Sequence, residues 1–443
     1  MIQHPPVIVI RGNDICFLGI IRSLGRAGIP FRTISFTWEG AKPWWSESSR
    51  FFSRDYSIAN PFAEPKQALQ DLIRIGEALL SEFGRPLLTI PSSDTNLMLF
   101  LDNEELLNRY YVLQGDREFA SYRSDVAHKF ECFELLSTSD SAICPHTLRC
   151  SATDHIPHVV DNMIYPCVFK PAVKDYGQTF YAKHAGLKAV ECETPDELKA
   201  GLISCIADGF DLVVQEKIIF DRAEDEIPFY GYVDEAGHLR IAATGIKDVI
   251  QPYPFGTANL LRLSWHPELL ELAQEVVHRL RWRGLVMIEF INDKKDGKWK
   301  VIEINVRPWL FIGFYDRFGL HYVRTLYQDW IGEFEPGTSL VTPSDDTTRQ
   351  APLHIDLNSL YAGFTAEDQS YVFASPQSLL EWASSFGHLI TTTYMDHEDP
   401  DPDAKCLRQL SSITGILTDV LKAELYPRLC DTGTGDDFTD ASS

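Results

Sequence analysis

The chain has 443 residues, 44% of them apolar and 23% charged, and a formal net charge of −23 at pH 7. It is long enough for two or three domains with a sizeable core, and so negative a balance argues against nucleic acid or an anionic membrane as the main partner. Its cysteines are scattered, odd in number and without a C-x-x-C pair, which argues against a zinc site or a disulfide framework.

The first residues, Met1 to Pro6, lack a basic region followed by a long apolar one. No run approaches the roughly 18 apolar residues of a membrane span. A cytoplasmic protein is the expectation. Residues 7–10 read as a buried parallel strand, Arg11-Gly12-Asn13-Asp14 as a turn, and residues 15–27 as a helix closed by Gly28. Residues 31–36 form a second strand, 68–83 a helix and 87–90 a third strand. Asp94 then reads as the cap of a helix ending near Tyr110. This alternation predicts a doubly wound parallel sheet. Gly12, Gly19 and Gly25 do not fit G-x-G-x-x-G, so no dinucleotide site is expected there.

A middle section begins near Arg123. Residues 130–136 read as a helix, 166–171 as a strand ending in Lys170 and Pro171, and 179–183 as its returning partner. Thr194-Pro195-Asp196-Glu197 opens a helix with a capping-box pattern. Residues 211–219 form a strand containing Gln215-Glu216-Lys217. The clearest helix is 266–283, where Leu269, Leu272, Ala273, Val276, Val277 and Leu280 make one stripe and Gly284 ends it.

That helix delivers the chain into a candidate hairpin, residues 286–291 and 301–308. Glu303, Asn305 and Arg307 are spaced by two, so they share one face of the second strand. Lys295-Asp296-Gly297 is a turn signal. With those three residues as the loop, Lys294 pairs with Lys298 and Glu289 lies opposite Glu303. Two carboxylates facing across a ladder repel, which makes sense if a divalent cation lies between them, with Asn305 as a third hard oxygen ligand. Arg307, with its planar fork of donors, suits a phosphate oxygen. The pattern predicts an Mg-nucleotide site. After Pro336 the signals weaken: residues 378–386 and 407–425 read as helices, 396–403 as a solvated acidic loop, and 431–443 as a disordered acidic tail.

Glu289-Phe290 followed by Glu303-Ile304-Asn305-Val306-Arg307-Pro308-Trp309 is similar to the metal-binding segment of the ATP-grasp superfamily, with its E-x-N-x-R core. Within it the chain most resembles the stand-alone carboxylate–amine ligases, the group that includes D-aspartate ligase. The resemblance implies an amino-terminal doubly wound α/β domain over 1–114, an ATP-grasp α+β nucleotide-binding domain over 115–335 and an α/β extension over 336–430. It implies that Lys129 and Lys170 contact phosphates and that Gln215, Glu216, Lys217 and Ile218 form the adenine-binding hinge. One of Glu224, Asp225 and Glu226 would reach the ribose, with Asp225 the chosen candidate, and Lys247 would lie near the transferred phosphate. Relatives often cover the phosphates with a glycine-rich loop; here Ala172 to Gln178 holds one glycine, and Lys174 or Lys183 is expected to compensate.

The implied cofactors are ATP and Mg²⁺, with Mn²⁺ as a substitute, and Glu289, Glu303 and Asn305 as metal ligands. The implied reaction joins a small-molecule carboxylate to an amine through an acylphosphate, releasing ADP and phosphate, with Lys247 and Arg307 offsetting charge. Bicarbonate activation of the carboxylase type and a non-catalytic ATP-binding module are the alternatives, and a homodimer is allowed for.

Overall fold

The computed structural model describes residues 4–36, 45–61, 63–115, 120–137, 143–172, 179–184, 187–251, 256–334, 339–350, 352–356, 390–392 and 398–399. Strands β1 (Val7–Ile10), β2 (Phe31–Phe36), β3 (Tyr56–Ile58), β4 (Leu87–Pro91) and β5 (Tyr111–Val112) form an all-parallel sheet in the order β3-β2-β1-β4-β5. Every residue of β1 is buried, as a strand covered on both faces by crossover helices must be. Helix α1 (Asp14–Arg26) starts where β1 ends, with Asn13 accepting the Cys16 N–H at 3.1 Å. Helix α2 (Pro65–Phe83) ends at Gly84, whose φ of +68° suits glycine. The helix expected from Asp94 is two short ones, α3 (Asp94–Leu101) and α4 (Glu104–Leu107). Its cap is Ser93, whose hydroxyl accepts the Asn96 N–H. The Asp94 carboxylate is thereby released for another partner.

Helices α5 (Ala120–Ala127) and α6 (Lys129–Leu136) lead to an antiparallel four-stranded sheet. Its strands β6 (Thr147–Cys150), β7 (Cys167–Pro171), β8 (Val190–Cys192) and β9 (Leu212–Glu216) run in the order β6-β9-β7-β8. Helices α7 (Ile156–Asn162), α8 (Thr179–Lys183) and α9 (Pro195–Ala207) share its core through Ile156, Phe180, Leu198 and Leu202. The expectation of a strand at 179–183 is therefore corrected. That stretch is α8, which buries Phe180 beside Phe169 and Phe210, and the partner of β7 is β8.

The largest sheet comprises β10 (Glu226–Val233), β11 (Leu239–Gln251), β12 (Thr257–Ser264), β13 (Gly284–Asp293), β14 (Lys298–Asn305), β15 (Leu353–Ile355) and β16 (Ile390–Thr392). Its order is β14-β13-β10-β11-β12-β15-β16, antiparallel except between β15 and β16. Helix α10 (Glu268–Arg279) buries the predicted Leu269, Ala273, Val276 and Val277. It stops short of Arg283, and Gly284, at φ +98°, opens β13. Helices α11 (Ile312–Asp316) and α12 (Tyr322–Trp330) pack on α1, and a Cβ on Gly19 would sit 2.9 Å from the Gly313 nitrogen. That close approach joins the parallel sheet to the large one through a shared core containing Phe17, Ile21, Trp309 and Tyr315. A last short helix, α13 (Asp345–Gln350), precedes β15.

Of the expected loop at 396–403, residues 398 and 399 are described and the rest lie outside the described residues. Asp399 is buried and accepts from Arg22 Nε at 2.8 Å, Ser49 Oγ at 2.6 Å and the Arg50 N–H at 2.8 Å. The proposed helices at 378–386 and 407–425, the 431–443 tail and Lys174 lie outside the described residues. No helix among the described residues is long and apolar enough to cross a membrane.

Candidate active site

The β13–β14 hairpin carries Glu289 directly opposite Glu303, but by a different route from the one expected. Asp293, not Lys294, pairs with a lysine at 298, so the loop has one residue more and the register is displaced by one. A bulge restores it: Phe290 faces Val301 while Glu289 faces Glu303, leaving Ile302 as the extra residue. The bulged residue has a use, because its carbonyl oxygen accepts the Lys170 ammonium at 3.1 Å.

Around the two carboxylates stand three lysines from three other elements. Lys247 Nζ on β11 lies 2.7 Å from Glu226 Oε1 and 3.0 Å from Glu289 Oε1. Burial disfavours its charge, but the two carboxylates outweigh that and hold the ammonium well above the usual lysine range. Lys129 Nζ, at the start of α6, is 3.9 Å from Glu303 Oε1. Lys170, at the end of β7, is pulled down to about 8 by burial and by neighbouring Lys129, against the opposing pull of Glu303 and Glu289. Glu289 is raised by burial, with Lys247 lowering it and Glu303 and Glu226 adding to the rise.

Arg307 lies just past β14. Its Nη2 donates to Asp94 Oδ2 at 2.5 Å and to Asn305 Oδ1 at 3.5 Å, and Nη1 donates to the Pro308 carbonyl at 2.9 Å. The fork thus ties the hairpin to the first residue of α3, on the parallel sheet. Burial opposes its charge, but Asp94 raises it above the usual arginine range.

The site fits a divalent cation carried in with a polyphosphate. Asp94, Glu226, Glu289 and Glu303 are balanced in number by Lys129, Lys170, Lys247 and Arg307. A polyphosphate entering such a set brings negative charge that only added cations can offset. Among the described residues no three His, Cys, Asp or Glu side chains converge to hold a metal unaided. Mg²⁺ characteristically takes one or two carboxylates plus ligand phosphates, and Glu289, Glu303 and the carboxamide of Asn305 match that need.

The other predicted residues lie apart from this cluster or turn inward. Gln215 Nε2 donates to Thr147 Oγ1 at 3.0 Å and is buried. Glu216 accepts from Lys300 at 3.2 Å, Lys217 is ion-paired with Glu191, and Ile218 is buried. In the hinge stretch, then, these side chains serve the sheet. Asp225 accepts the Arg222 N–H at 3.1 Å and Arg222 Nη2 at 2.9 Å, so its carboxylate is occupied closing a turn. Glu224 lies 3.7 Å from Arg262, and Glu226 is the acid of the three that reaches Lys247. Lys183 faces α9, where it bonds Ser204 and Asp208.

Sequence reasoning missed Asp94 as the partner of Arg307, Glu226 as a member of the cluster, and Lys300. Lys300 is buried between Asp293, at 2.6 Å, and Glu216, at 3.2 Å. Its signal was available: a lysine beside Val301 in a strand, seven residues after an aspartate across the turn.

No family model matches the sequence, and no curated protein is significantly similar to it. Solved structures are similar in fold. The L-amino acid ligase from Bacillus licheniformis has 15% identity and a TM-score of 0.53, over 76% of this chain and 78% of that one. The ADP complex of N5-carboxyaminoimidazole ribonucleotide synthetase has 14% identity and a TM-score of 0.54, over 77% and 80%. The biotin carboxylase domain of the Hydrogenobacter thermophilus 2-oxoglutarate carboxylase, in complex with MgADP, ADP and bicarbonate, has 17% identity and a TM-score of 0.53, over 76% and 72%. The fold of this chain is that of ATP-grasp proteins.

Proposed function

We propose that this chain, on its ATP-grasp frame, is an ATP-dependent ligase that joins a carboxylate to an amine. The observation that carries the reading is the opposed pair Glu289 and Glu303, with Lys129, Lys170 and Lys247 gathered around it from three separate elements. Glu289, Glu303 and Asn305 are the residues that would hold Mg²⁺ or Mn²⁺, which supplies neutralisation of phosphate charge when bound.

The chain's own contribution is positioning and electrostatics. Lys170 and Lys129 meet phosphate oxygens as ammonium groups, with Lys170 fixed by the Ile302 carbonyl. Lys247 stays charged beside Glu226 and Glu289 and stands near the transferred phosphoryl group. Arg307 is held by Asp94, so the parallel sheet and the hairpin orient one guanidinium together. A substrate carboxylate attacks the γ-phosphate, giving an acylphosphate and ADP. The amine then displaces phosphate. No protein nucleophile is required, because the carboxylate oxygen is one. Adenine is read by backbone groups of residues 215–218, since the side chains there are committed elsewhere.

ADP release from Mg-ATP, measured against pools of amino acids and of small carboxylates including bicarbonate, tests this reading with Glu303→Gln as control. Release that needs both a carboxylate and an amine, and is lost in the control, supports the ligase. Release with bicarbonate alone replaces it with carboxylase-type activation, and binding without release from any pool replaces it with an ATP-binding module.

A further inference from the structure

The core of the four-stranded sheet contains Cys150, Cys167, Cys192 and Cys205, all buried. Two of them face each other. Cys167, the first residue of β7, is the register partner of Cys192, the last residue of β8, on an antiparallel pair. Directly opposed residues on antiparallel strands have Cβ atoms about 4.5–5.5 Å apart, and a disulfide closes at roughly 3.5–4.5 Å. The small remaining movement falls to β8, which lies at the edge of the sheet and is held by three register pairs.

We infer that Cys167 and Cys192 are a modification site, a dithiol that closes into a reversible cross-strand disulfide with a low-molecular-weight disulfide such as oxidised glutathione as the oxidant. The thiolate of one cysteine attacks a sulfur of the small disulfide, forming a mixed disulfide and expelling one small thiolate. The second cysteine thiolate then attacks the protein sulfur of that mixed disulfide, forming the Cys167–Cys192 bond and expelling the other small thiolate. Two protein thiols are oxidised, one small disulfide is reduced to two thiols, and the two protons pass to the leaving groups.

Cys192 is the first attacker. The neighbouring Cys167 thiol holds Cys192 below the usual cysteine range, against the opposing effect of burial. Cys192 also sits on β8, the edge strand of its sheet. The bond lies beside the nucleotide half of the fold: Cys167 pairs on its other side with Glu216, and Glu191, next to Cys192, holds Lys217. It encloses residues 168–191 in a covalent loop whose first strand delivers Lys170.

The full-length protein is incubated with oxidised glutathione, its remaining thiols are alkylated, and it is digested without reduction for mass-spectrometric mapping. The expected product is a linked pair of peptides containing Cys167 and Cys192, lighter by two hydrogens than the reduced pair and separated by dithiothreitol. The oxidised protein should melt several degrees higher than the reduced one, and Cys192→Ala should lose both the linkage and the shift. The mapping on the unsubstituted protein stands whether or not that variant folds. Recovery of Cys167 and Cys192 as separately alkylated or separately glutathionylated peptides, or linked to Cys150 or Cys205 in their place, would overturn the inference.

Discussion

Charge is handled in opposite ways by two parts of the chain beyond residue 120. On the face of the β13–β14 hairpin, carboxylates and ammonium groups are shared among several neighbours. Lys247 serves Glu226 and Glu289 together, and Lys129 stays 3.9 Å from Glu303, beyond hydrogen-bond length. Lys170 is lowered by burial and further by neighbouring Lys129, against the pull of Glu303 and Glu289. Between Gln215 and Asp225, by contrast, Lys217 is closed in a pair with Glu191 and Asp225 in a pair with Arg222, and Glu216 shares the buried Lys300 with Asp293. A part with shared, strained charge gains from a ligand that rearranges it. A part with closed pairs is scaffold, and offers a ligand mainly its backbone.

That contrast can be broken in measurable ways. Glu303→Gln should lower kcat/KM for ATP turnover by roughly 10³-fold, the scale of a lost group acting on transition-state charge. It should not lower the melting temperature, because it removes a like-charge pair; a destabilised but active variant would contradict the account. Lys247→Met leaves Glu226 and Glu289 buried without their cation, and should cost about 3–5 kcal/mol in denaturant unfolding. Adding Glu226→Gln to it should recover part of that loss.

Asp94→Asn frees the Arg307 fork, and should lower kcat by roughly 10- to 100-fold through misplacement while leaving ATP affinity nearly unchanged. A matching loss of affinity would place Arg307 in ground-state binding instead. Lys170 adds a pH dependence. Its ammonium, with a pKa of about 8 against an ordinary 10.5, is present below pH 8 and lost above it. Affinity for Mg-ATP should therefore fall as pH rises through 8, approaching roughly tenfold per unit, and Lys170→Arg should remove that fall. In the ligand-free fold the sense is reversed. Between about 8 and 10.5 the unfolded chain binds the extra proton, so stability gains with rising pH across that window. The smallest effect belongs to the closed pairs: Lys183→Met should leave Mg-ATP affinity within about twofold, as expected for loss of an exposed salt bridge to Asp208. A large loss there would undo the contrast.

Where the chain alternates strictly, its organisation was readable in advance. The spacing of Glu303, Asn305 and Arg307 puts them on one side of the hairpin, and the turn signal at Lys295-Asp296-Gly297 sets Glu289 opposite Glu303. The route to it was not readable, because the longer loop and the bulge at Ile302 cancel each other in register. Asp94 was misread as a cap because Ser93, its neighbour, is an equally good one, and only packing decides between them. The acids at 224–226 could not be told apart from a run of like residues; a turn closed by Arg222 and a strand beginning at Glu226 separate them. The burial of Asp399 depends on Arg22 and Ser49, contacts across more than three hundred positions that no local pattern carries.

The measurement that tests the central claim most directly is a titration of ATP binding with and without Mg²⁺, on the native chain and on the Glu289→Gln/Glu303→Gln double variant. The account predicts Mg²⁺-dependent binding by the native chain and a variant that folds but whose ATP affinity no longer responds to the ion. Equal dependence on Mg²⁺ in both proteins would show that the opposed carboxylates are not where the metal–nucleotide complex is held.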